Sequence, residues 1–252
     1  MSGLLVPNLP IAQDATLKHP FRRDEIIGSE KVSQALAEIV ATVPGPLEEI
    51  ETLQGEAAVA TLWKLSGSEL HGCTLALIHG GEVRELRIMV RPVHEAESWA
   101  AANRAKAPEG IWTVPSDIPR SRAFDKAAPV DPHFPFAVAQ DAVFASPILH
   151  REPQGAELVK TVVGHAAAIY GTRELGPSLG AGARRLSYWT GSVEGFAAEM
   201  AALLRFNMSG EMASLEVFMQ PMPVTFLFRD HVRHRLQGIL DDSYFEVSKV
   251  IE

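Results

Sequence analysis

The sequence has one cysteine, Cys73, so no internal disulfide can staple the fold. No apolar run approaches the roughly 18 residues needed to span a bilayer. Met1-Ser2-Gly3-Leu4-Leu5-Val6-Pro7 has no basic segment ahead of an apolar core. With the lone cysteine, this sets the expectation of a reducing cytoplasm. Concentrated positive charge is missing too. The formal net charge is −8, with Lys and Arg scattered, which argues against nucleic acid as a partner. Metal-type Cys/His spacing, Gly-rich phosphate loops and a Gly-x-Ser-x-Gly elbow are absent, so neither metal nor cofactor is expected.

What is present is a repeat. The chain has 252 residues, enough for two domains of about 120 each. Ala12-Gln13-Asp14-Ala15 recurs as Ala139-Gln140-Asp141-Ala142, an offset of 127. The same offset relates Pro20 to Pro147, Gly28 to Gly155, Glu30 to Glu157 and Val32 to Val159. Further on the offset is 129, relating Gly81-Glu82 to Gly210-Glu211, Leu86 to Leu215 and Pro92 to Pro221. Such constancy over tens of residues points to two copies of one unit.

Each copy reads alike. An opening strand (14–21, then 141–148) leads to a helix. The first helix opens at Gly28-Ser29-Glu30 with Ser29 as N-cap. It buries Val32, Leu36, Ile39, Val40 and Val43, and Pro44-Gly45-Pro46 stops it. The second helix covers 156–170, with Leu158, Val162, Ala166 and Ile169 as its stripe. Three antiparallel strands follow in each copy, at 57–65, 70–79 and 83–91, then at 184–190, 197–207 and 212–219. His79-Gly80-Gly81-Glu82 and Ser209-Gly210 read as hairpin turns. Further helices are expected at 95–106 and 229–240. The units are therefore 1–107 and 136–252, joined by a Pro-rich linker at 108–135.

The segment Asp14-Ala15-Thr16-Leu17-Lys18-His19-Pro20-Phe21, followed by Gly28 and a helix, resembles the opening strand of the nuclear transport factor 2-like (SnoaL-like, ketosteroid-isomerase-like) superfamily. Ile88-Met89-Val90-Arg91-Pro92, with a helix after it, resembles the last strand of bacterial members. The resemblance implies an α+β fold in which helices wrap a curved antiparallel sheet into a cone with an apolar pocket. Two such cones in one chain imply a pseudo-dimer, acting as a monomer or pairing again as a homodimer. The superfamily includes isomerases, cyclases, dehydratases and non-catalytic proteins, so fold alone does not give function.

The resemblance also assigns positions. The aspartate base of isomerase-like members falls at His19 and Ser146, and a second pocket aspartate falls at Cys73 and Ala202. Both aspartates are missing, which argues against steroid isomerisation by the known route. In copy one, His71, Cys73, Leu75 and Leu77 share a strand face by alternation. His19 is then the candidate general base with His71 as its partner, since imidazole exchanges protons near neutral pH. Core histidines and a small buried cysteine are the alternatives. Phe21, Trp63, Cys73 and Leu75 are expected to wall the first pocket, and Ser146 and Met200 the second. Tyr188 and Trp189 face opposite sides, so one of them can line a cone. Any polar site is expected in copy one. Arg87 and Glu216, equivalent and opposite in sign, are expected near a pseudo-twofold axis on packed sheets.

Two functions stay open at this point. One is an enzyme of lyase or isomerase type acting on a small apolar molecule through His19. The other is a non-catalytic ligand-binding or scaffold protein, favoured if the first cone is filled.

Overall fold

The computed structural model describes residues 5–21, 24–104 and 134–245. The expected linker, but for its last two residues, lies outside them. Elements of the first unit run β1 (Ile11–Lys18), β2 (Ile26–Ile27), α1 (Ser29–Thr42), β3 (Leu47–Gln54), β4 (Ala58–Leu65), β5 (His71–His79), β6 (Glu82–Arg91) and α2 (Val93–Arg104). The second unit runs β7 (Val138–Ala145), α3 (Ala156–Ala167), β8 (Glu174–Leu179), β9 (Arg184–Val193), β10 (Phe196–Phe206), β11 (Met212–Gln220) and α4 (Met222–Arg235).

The architecture is α+β, and its large sheet has the order β3-β4-β5-β6-β11-β10-β9-β8. Each unit pairs its opening strand parallel to its last one, β1 on β6 and β7 on β11. The registers agree with the repeat: Leu17 lies opposite Leu86, and Phe144 opposite Leu215. Gly28 donates its N–H to Ala15 O, and Gly155 to Ala142 O, both at 2.8 Å. These glycines have φ of 102° and 93°, a region that side chains disfavour, and they are the helix N-caps. Ser29, expected as the cap, is instead the first helical residue.

The units meet through a pseudo-twofold arrangement. The last strands touch through one antiparallel pair, Val90 with Met219, which are equivalent residues. Val93 N donates to Pro147 O at 2.7 Å, and Met222 N to Pro20 O at 2.6 Å. Under the repeat offsets these are one bond seen from either unit. Behind the junction the outer sheet faces pack together. Leu62, Cys73, Leu75 and Met89 meet Leu186, Ala201, Leu203 and Phe218 in one buried cluster. The inner faces build two separate cores, one per cone.

The fold differs from expectation in its end strands and in the start of its last helix. Each unit has an antiparallel strand beyond the three expected, β3 and β8, at the outer ends of the sheet. The helix α4 begins at Met222 rather than 229. The helix α2 closes its own unit: Trp99 Nε1 donates to Thr42 O of α1 at 3.0 Å. By contrast α4 serves both units, with Met222 and Phe226 in the first core and Leu227, Phe228 and Val232 in the second.

At the junction the His94 ring of α2 lies on that of His150, centroids 3.5 Å apart. Burial depresses the His94 pKa to about 4, helped by His150 and Arg229. Burial also lowers that of His150, against the nearby Glu69. Both folded values lie below the unfolded one of about 6.5. The unfolded chain therefore binds more protons in this window. Stability is full above about pH 6.5 and is lost as the pH falls toward 4. Thermal melts should show the melting temperature declining from pH 7 to 5. The decline should be shallower in His94→Asn, while the share from His165, also lowered by burial, remains. An unaltered slope in that variant would show that the stacked pair does not titrate as described.

Candidate functional site

Strand pairing fixes which residues of the two cones correspond. Gly72 pairs with Val90 on one side and Trp63 on the other. Met200 pairs in the same way with Met219 and Trp189. Trp63 and Trp189 are therefore equivalent, and so are Gly72 and Met200. Thr74 pairs with Ile88 and Ala202 with Val217, so those two correspond as well. The offset on β5 and β10 is thus 128, because the turn before β11 is one residue longer. A constant offset of 129 places Cys73 opposite Ala202; the ladder places it opposite Ala201. A slip of one residue exchanges the faces of a strand.

That slip corrects the first expected site. His71, Cys73, Leu75 and Leu77 do share a face, but it is the outer one. Cys73 and Leu75 are fully buried between the sheets. Burial pushes the Cys73 thiol far up, away from nucleophilic chemistry. His71 Nδ1 lies 3.2 Å from Glu216 of the second unit. His19 is 1% exposed, and its Nδ1 accepts the Phe21 N–H at 3.1 Å. Ser146, its equivalent, accepts the Ile148 N–H through Oγ at 3.3 Å. Both residues therefore do one local job, satisfying the backbone N–H two residues on. His19 and His71 do not meet in a common cavity: one sits inside the unit and the other between the sheets.

Among the described residues the first cone has a packed core. Trp63 lies in its core with Leu5, Leu17, Phe21, Leu36, Ile39 and Trp99. Its ring covers Gly72 so closely that a Cβ there would fall 2.0 Å from Cζ2. Its Nε1 donates to Thr74 Oγ1 at 3.1 Å. Phe21 is fully buried and packs edge-on against Trp99, centroids 5.2 Å apart. A groove of about 520 Å³ on this unit lies at the seam of α1 and α2, lined in part by Thr42, Ser68, Glu95 and Asn103.

The second cone holds a cavity of about 350 Å³. The inward face of α3 is smaller than that of α1: Val163, Ala166 and Ala167 stand where Leu36, Ile39 and Val40 stand in the first unit. Phe228 stands where Trp99 does. Tyr170, in the place of Val43, is stacked on Phe228 at 4.8 Å and forms part of the wall. Ser146 lines this cavity. Met200, expected in this wall, is not among the residues that line the cavity; it is fully buried in the same core, and its β9 partner Trp189 lines the cavity. Tyr188 faces the sheet junction instead, under the Arg87 guanidinium. Among the described residues Arg173 is the one charged side chain in the wall, together with hydroxyls of Ser146, Tyr170 and Ser187. Burial raises the Tyr170 pKa, so its phenol stays neutral. Arg173 itself is exposed and donates to Ala167 O at 2.7 Å, while Leu175 is 85% exposed beside it. The chain therefore offers an apolar chamber with a few neutral polar groups.

Between the sheets lies a second polar assembly, built of charge. The first unit contributes Lys18, Arg87, Arg91 and His71, and the second Glu199, Glu216 and Gln220. Arg91 Nε meets Glu216 Oε1 at 2.7 Å, and Arg87 Nε meets Glu199 Oε2 at 3.2 Å. Lys18 Nζ also reaches Glu199, at 2.5 Å. The Arg87–Glu199 and Glu216–His71 contacts are related by the pseudo-twofold with the signs exchanged. Arg87 is 8% and Glu216 6% exposed, so both lie on the packed faces. Each takes a different partner from the opposite unit. Among the described residues no cluster of three or more His, Cys, Asp or Glu could hold a metal ion. No described helix is long and apolar enough to cross a membrane.

No protein-family model and no curated protein matches the chain. Solved structures do. A protein with a cystatin-like fold from Silicibacter pomeroyi is 22% identical, with a TM-score of 0.40, over 40% of this chain and 72% of that one. A steroid delta-isomerase from Pseudomonas aeruginosa is 21% identical, with a TM-score of 0.39, over 40% of this chain and 75% of that one. An NTF-2-like protein of unknown function from Burkholderia xenovorans is 16% identical, with a TM-score of 0.30, over 33% and 64%. The structural neighbours of this chain are thus cystatin-like, NTF-2-like and steroid-isomerase proteins, and the likeness is one of fold.

Proposed function

We propose that the protein binds a small apolar molecule in the cone of its second unit without transforming it. The supporting observation is the contrast between the two cones. Among the described residues the first is centred on Trp63 and bears a groove at the seam of α1 and α2, whereas the second holds a cavity of about 350 Å³ with a largely apolar wall inside the cone. That volume lies within the range of small-molecule pockets. A lyase or isomerase step through His19 is not favoured, because that ring is buried and its Nδ1 is engaged locally. The first unit, residues 1–107, then serves as the fixed partner on which the binding unit, 136–252, is built, and one chain does the work of a dimer.

The test copies the first cone into the second. Ala166→Ile places the side chain of Ile39 at the equivalent point of α3 and narrows the chamber. A screen of naphthalene and steroid-sized hydrocarbons by thermal shift should find ligands for the native chain. At a hundredfold excess over Kd, binding adds about 2.7 kcal/mol, or roughly 5–10 °C for a chain of this size. Ala166→Ile should reduce the shift, most for the steroid-sized probes, while melting no lower than the native protein. Equal shifts in both proteins would place the ligand elsewhere and overturn the reading.

A further inference from the structure

The seam of α1 and α2 is polar where the matching part of the second unit is not. The repeat sets Val224, Leu227 and Val232 of α4 at the places of Glu95, Ser98 and Asn103 of α2, and all three are buried in the second core. In the first unit those polar residues line the groove of about 520 Å³. The fold itself therefore does not require polar side chains here.

The hydrogen bonds of the groove leave one kind of group over. Every side-chain donor in its lining is spent within the protein. Thr42 Oγ1 donates to Glu38 O at 2.8 Å, Ser68 Oγ to Glu95 Oε2 at 2.9 Å and Ser98 Oγ to His94 O at 3.0 Å. Trp99 Nε1 donates to Thr42 O at 3.0 Å, and Asn103 Nδ2 to Trp99 O at 2.8 Å and to Thr42 O at 3.4 Å. What remains is acceptors. Asn103 is 6% exposed, and with its Nδ2 on two carbonyls its Oδ1 has no donor among the described residues. Among the described residues Glu95 carries the one charge in the lining. It meets the Ser68 hydroxyl and, at 3.7 Å, His94, whose ring burial keeps neutral at pH 7. No lysine or arginine among the described residues pairs with it. The end of α1 adds to this. That helix has no basic residue in its last turn, and Pro44 has no N–H to offer Val40 O. Leu65, Leu70 and Trp99, all nearly fully buried, supply the apolar part of the lining.

We infer that this groove binds an amine with an apolar body, its ammonium on Glu95 and its carbons along Leu65, Leu70 and Trp99. Such a cation brings N–H donors to a lining that offers acceptors, and its charge meets a carboxylate that lacks a cationic partner. An anion finds no spare side-chain donor there. The site is separate from the chamber of the second unit.

n-Hexylamine and 1-hexanol test this, because they share a chain and differ in ammonium against hydroxyl. Titration calorimetry at pH 7 gives both dissociation constants. Glu95→Gln keeps an acceptor for Ser68 and removes the charge. It should weaken the amine about tenfold and leave the alcohol unchanged. Ala102→Lys, at an exposed position of the lining, sets a tethered ammonium in the groove. It should weaken the amine too, with Glu95 and its bond to Ser68 left in place, which guards against a folding effect in the first variant. Ala166→Ile, in the second cone, should leave the amine unchanged. Failure of the native chain to bind hexylamine would overturn the proposal. So would equal binding by the native, Glu95→Gln and Ala102→Lys proteins, and a loss confined to Ala166→Ile would assign the amine to the chamber instead.

Discussion

Glu216→Met is expected to destabilise the protein by about 3 kcal/mol, read as a lower urea midpoint. Glu216 is held between the sheets by Arg91 at 2.7 Å, His71 at 3.2 Å and Arg205 at 3.2 Å. Burial would raise its pKa, but hydrogen bonding to His71 and the charge of Arg91 outweigh it and bring it down to about 2. Removing the carboxylate leaves the Arg91 guanidinium between the sheets without its nearest anion, which is the costly way to break a buried pair. Replacing Arg91 and Glu216 together by methionine should recover part of the loss, because Arg205 keeps Glu51 at 2.7 Å. The folded pKa lies below the unfolded value of about 4.3. The carboxylate's contribution is therefore full above that pH and is lost as the pH falls toward 2. The gap between native and variant should stay constant from pH 7 to 5 and narrow below about 4. A Glu216→Met variant as stable as the native chain would show that the buried charges set the register of the sheets and add nothing to their cohesion.

The exchange of sign has a further meaning. A symmetric dimer of either unit would set Arg87 and Arg91 against their own copies, or Glu199 and Glu216 against theirs. Like charges buried together are strongly unfavourable, whereas the fused pair meets opposite charges throughout. Pairing of the first unit with the second is therefore favoured over pairing of like with like.

Much of this was legible in the sequence. The repeated Ala-Gln-Asp-Ala and the helix-opening glycines fixed the correspondence of β1 with β7 and α1 with α3. The offset alone showed Arg87 and Glu216 to be equivalent and opposite in sign, but left open whether their face was packed or lined the pocket. The end strands were not legible. Leu-Glu-Glu-Ile-Glu-Thr-Leu-Gln in β3 is largely exposed, and β8 contains Gly176 and Pro177, both signals against a strand that an outer edge tolerates. The start of α4 was obscured because its first turns are buried all round and show no amphipathic stripe; Pro223 suits the first turn. Alternation placed His71, Cys73 and Leu75 together without saying which face turned inward. The hairpin lengths then decided it, through the extra residue before β11. The open cone was readable in principle from Ala166 and Ala167 against Ile39 and Val40, but only once the helices were superposed.

Gly72→Ala should cost about 3 kcal/mol, a large effect for one added methyl group. The new Cβ would lie 2.0 Å from Trp63 Cζ2 and 2.2 Å from Cε2, distances at which the ring must leave. Trp63 is fully buried among Leu, Ile and Phe side chains, so moving it must displace packed neighbours. Moving it also breaks its bond to Thr74 and leaves two buried polar groups unpaired. Trp63→Ala alone should cost about 3–5 kcal/mol, since it empties the centre of the cone. The two changes meet at one point and cannot add. With the ring gone, the added methyl group has nothing to strike, so Gly72→Ala should cost less than about 1 kcal/mol in the Trp63→Ala background. Gly191→Ala supplies the control, because its Cβ would meet Met200 Cε at an ordinary 3.5 Å. Urea unfolding of the four members of this cycle measures the coupling directly. Strict additivity would mean that the Trp63 ring does not rest on Gly72, and with it would go the reason the first cone is closed while the second, with Met200 at that position, is open.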